Sequence, residues 1–412
     1  MRVYRTLGFL ITIGLCMVAS AQFTQGTRDR DPDLEGSKLL ATELQKAQIH
    51  WGPVYLLSRF RVADVGYTDV GYLPADDQGD GLTLGVEAPQ RIYFVPSRKV
   101  ILSADVTPGL SYTDNRDPRT QFNYRTRADV HFLFNHLYLD IYGGRSDTLQ
   151  AQVADINRLA TVRETETGVA GEIKYSSRTS ALFSARFREI TFPENRLQPA
   201  GVPLELLERD ERAGRFSVLH KTLPRTSLTL AGEYSDYEFP ETAYKNGTRT
   251  WIGPGFSFDN GRVHLRAEAG PGTLRFDQGG QHEFNGVLGR SLFGYRRGKW
   301  TASANVHRDL GFTIFANNNF YIADQAGVRL GYVATRRLSL HTYTIHERDE
   351  YPVPAQGVLR RDTISFTAAG FNYQLLRRIA VGLDAGWYTR SSTGFGDEDS
   401  GIRYVLHLSY TP

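Results

Sequence analysis

From about residue 52 to the C-terminus, apolar and polar side chains alternate with a period of two, the signature of strands with one wet and one apolar face. Phe122, Tyr124, Thr126, Ala128, Val130, Phe132 and Phe134 share one face of their stretch; Asn123, Arg125, Arg127, Asp129 and His131 share the other. Such a charged face does not fit a sandwich core. The same division separates Val263, Leu265, Ala267 and Ala269 from His264, Arg266 and Glu268, and Ile402, Tyr404, Leu406, Leu408 and Tyr410 from Arg403, His407 and Ser409. Each predicted strand runs roughly ten to thirteen residues, the length a tilted strand needs to cross a bilayer.

The connections are of two kinds. Tight turns fall near Pro96 to Arg98, Asn135-His136, Ser176 to Arg178, Leu223 to Arg225, Asp259 to Gly261, Arg296 to Gly298, Thr335 to Arg337 and Leu376 to Arg378. Between them come longer Asp/Glu/Pro/Gly-rich stretches, such as Asp147 to Glu164, Pro193 to Asp210 and Glu347 to Arg360, predicted as loops. This asymmetry predicts an all-β chain, a transmembrane antiparallel up-and-down barrel of about eighteen strands, with short turns and both termini periplasmic. The first strand is placed near Leu57 to Tyr67 and the last near Gly401 to Tyr410, so that they close the ring. A β-propeller would need four short strands per repeat, where each repeat here holds two long ones, and the outward apolar faces end in aromatics such as Tyr112, Tyr142, Tyr234, Trp300 and Trp387.

The pattern divides the chain into a leader at residues 1–21, a periplasmic segment at 22–52 and a barrel at 53–412. Arg2 and Arg5, the apolar run Leu7 to Val18 and the small residues Ala19, Ser20 and Ala21 have the order of a secretory signal peptide, with cleavage before Gln22. In the next segment Leu40, Leu44 and Ala47 stand at helical spacing after a Ser37 cap, which fits a short helix. Two readings stay open, a loose lead-in or a helix docked at the barrel mouth. No apolar run reaches the eighteen or so residues of a membrane-spanning helix.

Composition adds support. The 412 residues include 40 Gly, 22 Tyr and 23 Phe, which suits repeated turns and aromatic girdles. The single cysteine, Cys16, lies in the expected leader, leaving no thiol chemistry downstream. A mean hydropathy of -0.37 is what alternating lipid-facing and water-facing positions average to, and a net charge of +3 discriminates nothing.

A barrel of that size encloses more space than side chains fill, so the lumen is the candidate functional surface. The alternation assigns Arg125, Arg127, Lys174, Arg186, Arg188, Arg266, Arg329 and Arg403 to it, set against Asp129, Glu172, Glu233, Glu268 and Asp384. That is a mild cationic excess. Either mixed charges solvate a wide pore, or they tune its selectivity. Basic residues also cluster at the turns, among them Arg296, Arg297, Arg336, Arg337, Arg377 and Arg378, while Asp76, Asp77, Asp80, Glu350 and Asp397 to Asp399 sit in long loops. Basic turns suit anionic phospholipid head groups, or a collar that gathers an anionic solute.

No G-x-S-x-G, H-E-x-x-H or Walker-type stretch is present, so no enzymatic reading is carried. His131, His264, His341 and His407 read as lumen solvation, and Asp76, Asp77 and Asp80 lack calcium-loop spacing. Nothing calls for a cofactor, a metal or nucleic acid.

Gly66-Tyr67-Thr68-Asp69, Leu110 to Asn115, Arg361-Asp362, Tyr388 to Ser392 and Tyr404 to Tyr410 resemble segments of the outer-membrane β-barrel family found with exopolysaccharide-biosynthesis machinery. The resemblance spans about Trp51 to Pro412 and implies a passive porin exporting an extracellular polysaccharide, with outer-membrane lipid around it and a periplasmic export partner. A diffusion porin for small solutes and a structural or binding barrel are the alternatives. One departure is that Thr411 and Pro412 follow Tyr410, where barrels of this kind end on an aromatic residue.

Overall fold

A computed structural model describes residues 36–68, 81–114, 119–153, 156–193, 204–314, 318–354, 358–393 and 398–411. The expected leader and the acidic group Asp76, Asp77 and Asp80 lie outside these residues. One helix, α1 (Gly36–Gln45), precedes the strands β1 (Ile49–Trp51), β2 (Val54–Ser58), β3 (Phe60–Thr68), β4 (Gly81–Glu87) and β5 (Gln90–Ser97). Next come β6 (Val100–Asp114), β7 (Arg119–Leu133), β8 (Leu137–Val153), β9 (Ile156–Lys174) and β10 (Thr179–Thr191). They are followed by β11 (Arg209–Leu223), β12 (Thr226–Glu238), β13 (Gly247–Asp259), β14 (Val263–Phe276), β15 (Phe284–Arg297) and β16 (Trp300–Phe312). The last five are β17 (Phe320–Val333), β18 (Leu338–Glu350), β19 (Arg361–Leu376), β20 (Ile379–Thr393) and β21 (Glu398–Tyr410).

Each of β6 to β21 pairs antiparallel with its sequence neighbour, and β21 returns to β3 through Tyr410↔Phe60, Leu408↔Val62 and Leu406↔Val65. The hydrogen-bonded ring therefore closes on itself, with β1 added as a short strand beside β2. Two of its staves are broken. Pro89 has no N–H to give to the ladder, and there β4 ends and β5 begins; opposite, Arg59 N donates to Pro89 O at 2.9 Å between β2 and β3. With β2/β3 and β4/β5 counted as one stave each, the ring is a closed 18-strand barrel.

The short turns are built locally. At Asp259 to Arg262, Gly261 adopts φ +79°, and the Asn260 side-chain oxygen accepts from the N–H groups of Arg262 (3.0 Å) and Val263 (2.7 Å). Such a turn needs a residue free of the left-handed penalty, which glycine supplies.

One face of the sheet carries Leu102, Val106, Leu110, Phe122, Phe216, Val218, Leu228, Leu230, Ile252, Val287, Val306, Val328, Leu330, Leu383, Leu406 and Leu408, all substantially exposed. In water a patch of that extent would drive association; around a closed barrel it meets hydrocarbon. Trp300, with its ring 4.5 Å from Tyr332, and Trp387 are exposed on the same face.

Two expectations change. Asp147 to Val153 and Ile156 to Glu164 carry the β8–β9 ladder on through Thr148↔Val162 and Ala151↔Leu159, with a register shift before Val153↔Ile156, where a loop is predicted. Beyond the bilayer both faces meet water, so the alternation fades while the ladder goes on. Tyr142, grouped in sequence with the outward aromatics, pairs with Asp129 and points to the polar face.

Helix α1 docks. Leu40 is buried with Leu57, Tyr93 and Ile101, with Leu44, Ala47, Tyr55 and Leu133 packed around them. Tyr93 pairs with Ser103, and Ile101 with His131, so these residues share the polar, inner side of the sheet. Arg91 binds Glu43 of the helix at 2.8 Å and Asp105 of β6 at 3.0 Å. The helix thus lies against the inner wall at the short-turn end.

Candidate functional site: the charged inner wall and its cap

The pairing register sorts the inner face into three sectors. On β6 to β9, Arg127 donates to Asp129 at 2.7 Å, stands 3.8 Å from Asp140, and lays its guanidinium 3.8 Å from the Tyr142 ring centre. His131 bridges Asp140 (3.1 Å) and the Ser103 hydroxyl (3.0 Å). Glu172 is buried across from Tyr138 and Leu182; Arg125 is exposed across from Ser146; Lys174 is exposed at the short-turn end of β9.

On β10 to β16 the charges are more tightly interlocked. Arg188 donates to Glu211 directly across from it at 2.9 Å, and Arg209 reaches the other Glu211 oxygen at 2.8 Å. Arg186 stands two residues from Arg188 on the same face. Arg215 holds both Glu268 oxygens at 2.9 Å and Glu233 at 3.3 Å, while Arg290 joins Glu268 at 2.5 Å. Arg249 binds Asp309 at 2.5 Å, and Arg266 faces Ser257 and Leu292. Breaking one partner out of such a buried pair typically costs about 3 to 5 kcal/mol, because the other charge is left uncompensated.

On β17 to β21, Asp384 lies between His341 (2.5 Å) and His407 (3.7 Å), and Asn372 contacts both imidazoles. Asp362, fully buried, accepts from Arg360, Arg390 and Ser392. Arg329 stands 5.8 Å from the Tyr343 ring, and Arg403 is across from Gly386. The register therefore puts Arg125, Arg127, Asp129, Glu172, Lys174, Arg186, Arg188, Glu233, Arg266, Glu268, Arg329, Asp384 and Arg403 on one side of the sheet, in separate sectors. Among the described residues no group of three His, Cys, Asp or Glu side chains is arranged to hold a metal ion.

Several charges that complete these clusters did not emerge from the sequence. Arg215 had a readable signal, since Phe216 and Val218 alternate with it. Arg249 had none: its neighbours Thr248 and Thr250 give no apolar contrast.

Toward the long-loop end, part of the inner wall is apolar and covered. Val162, Ile190, Ala231, Tyr237, Trp251, Leu274, Phe276, Phe284 and Leu288 form one buried cluster with Phe192, Leu204, Leu207, Phe239, Phe312, Ile314, Phe320, Tyr321 and Tyr351. The first group stands on the strands, facing inward; most of the second belongs to the connections after β10, β12, β16 and β18 or to strand residues next to them. The described parts of those connections, with the 3-10 turns Leu204–Leu207 and Ala243–Lys245, fold inward and bury the wall. They are stitched together by polar side chains. Lys245 Nζ donates to Leu206 O (3.2 Å) and Thr313 O (2.7 Å); Asn318 exchanges two hydrogen bonds with the Val353 backbone; Asn319 reaches Gln281 at 2.9 Å. Five successive long connections, those after β10, β12, β14, β16 and β18, are linked in this way into one cap.

No family model matches the sequence, and no curated protein matches it. Solved outer-membrane porins share the fold. OccK7 (OpdD) of Pseudomonas aeruginosa aligns over 88% of this chain and 99% of its own, at 12% identity and a TM-score of 0.52. OpdK of the same organism, solved with vanillate, aligns over 87% and 98% at 13% identity and a TM-score of 0.52. OccAB4 of Acinetobacter baumannii aligns over 87% and 98% at 12% identity and a TM-score of 0.50. A closed barrel of this size with an apolar exterior makes the chain an integral protein of the bacterial outer membrane.

Proposed function

We propose that the protein is a passive diffusion channel for small hydrophilic solutes, with its short turns and termini on the periplasmic side. The observation that carries this reading is the inner face: charged and polar residues ring the barrel, while the apolar part of the wall that the long-loop cap buries lies on β9 to β17. In this reading Arg125, Arg127, Asp129, Glu172, Lys174, Arg186, Arg188, Glu233, Arg266, Glu268, Arg329, Asp384 and Arg403 line the channel. Conduction needs weak contacts spread over many groups, and no single residue dominates this wall. The paired carboxylates neutralise much of the arginine charge, which favours a modest selectivity. Outer-membrane lipid is the partner that the exposed belt calls for.

Export of a polysaccharide, implied by the sequence resemblance, gains no support. A bulky polymer needs a wide continuous bore, and five linked loops folded inward speak against one. Reconstitution into a planar bilayer tests the proposal. Stepwise conductance, with faster liposome swelling in monosaccharides than in larger sugars, is the expected result; silent bilayers from correctly folded protein would overturn it.

A further inference from the structure

Lys245 is fully buried, with no part of its surface reaching solvent. An ammonium in such a place is tolerated only where hydrogen bonds replace its water shell. Here they come from the backbones of two other connections, Leu206 O after β10 and Thr313 O after β16. The residue itself belongs to the connection after β12, where the Phe239 and Tyr244 rings lie 6.0 and 5.7 Å from its Nζ. Thr242, on the same connection, adds a second donor to Leu206 O at 3.3 Å. Three connections thus meet at one charged atom. A fourth is tied to Thr313's own connection by the reciprocal Asn318 and Val353 bonds.

The geometry points to Lys245 as the positioning residue that sets the size limit of the channel, by holding these inward-folded connections as one body. This rests on the diffusion-channel reading. The arrangement is mechanical: hydrogen bonds from an ammonium to carbonyls are stronger than neutral ones, and both acceptors belong to backbone that cannot move without moving its loop. With the ammonium removed, Leu206 keeps the Thr242 hydroxyl, but the ammonium's bridge from the connection after β12 to Thr313 is gone. The connections after β10 and β16 then move separately, and the passage beside them widens. The strands below, paired by backbone, are unaffected.

The test compares the wild type with Lys245→Met, which preserves chain length and removes the donors, Lys245→Arg, which retains donors and charge, and Thr242→Val, which cuts only the lesser link. Liposome swelling is measured with a monosaccharide and a trisaccharide, and single-channel conductance in planar bilayers. Heat-dependent electrophoretic mobility reports the intact barrel. Lys245→Met is expected to raise the trisaccharide-to-monosaccharide rate ratio several-fold and to add current noise, Thr242→Val to do so less, and Lys245→Arg to stay nearer the wild type. A merely stabilising role would shift the mobility transition without changing that ratio. Unchanged ratios in both Lys245→Met and Thr242→Val, in protein that conducts, would overturn the assignment alone; a wild type that never conducts would overturn the channel reading beneath it. Thr242→Val alters one hydroxyl, so it keeps the question open to refutation where the lysine variant does not insert.

Discussion

Arg127 lies flat over Tyr142, 3.8 Å from guanidinium carbon to ring centre, while its Nε donates to Asp129. The stack and the ion pair together fix a guanidinium beside two nearly buried carboxylates, Asp129 and Asp140. Arg127→Ala removes that positive charge from beside both acids. The inner wall then becomes more negative, and the zero-current potential in a salt gradient is expected to move toward cation selectivity. Arg127→Lys is expected to fall between the two, because an ammonium carries the charge but not the planar fork that stacks and donates at once. A reversal potential unchanged in Arg127→Ala would remove this sector from the solute's path.

Helix α1 is held by one apolar contact set and by the Glu43, Arg91 and Asp105 bridge. Truncating a buried leucine costs about 2 to 5 kcal/mol, more than a ten-residue helix can recover by itself, since helices of that length are marginal in water. The double variant Leu40→Ala and Glu43→Ala should release the helix while leaving the barrel closed. Limited proteolysis before Ile49 is expected to speed up, and single-channel conductance to rise as the short-turn mouth clears. Protection equal to the wild type would show that the helix is held elsewhere.

What the sequence makes readable here depends on contrast between lipid and water. Where the bilayer enforces that contrast, as at Phe122 to Phe132 or Leu406 to Tyr410, alternation marks the strand and its polar side. Beyond the bilayer the contrast vanishes: the outer part of the β8–β9 hairpin reads as loop although its ladder continues, and Arg249 is lost among threonines. Tyr142 misleads because a tyrosine suits either a membrane interface or a stacked arginine. The cap is a tertiary feature. Leu204, Leu207, Phe239 and Ile314 stand in connections where no strand period marks a face, and only the meeting of four connections shows what they bury.

Glycines mark where staves come closest. A Cβ at Gly270 on β14 would lie 1.9 Å from Ile252 O and 2.5 Å from Gly253 Cα, and one at Gly253 would meet Ala269 O at 2.5 Å. These neighbours are backbone, which cannot rotate away, and Pro254 and Pro271 flank the same spot. Gly270→Ala should therefore force β13 and β14 apart, and overpacking of this kind costs about 1 to 3 kcal/mol. The temperature at which the barrel loses its compact electrophoretic form is expected to fall. The control Gly279→Ala, with nothing within 4 Å of its Cβ, should leave that temperature unchanged.

Glu268 serves two arginines, Arg215 through both of its oxygens and Arg290 through one. Glu268→Gln retains the shape and one acceptor oxygen but removes the charge that offsets both guanidiniums, while Glu233 stays 3.3 Å from Arg215. The β11 to β15 sector then turns more positive, and the reversal potential should move toward anion selectivity, opposite in sign to Arg127→Ala. The two sites sit on different staves, β7 and β14, so their effects should add. A double variant close to the wild-type potential is the expected outcome. A double variant that follows one parent alone would mean that solutes pass along one sector of the wall, and comparison with the single variants would say which.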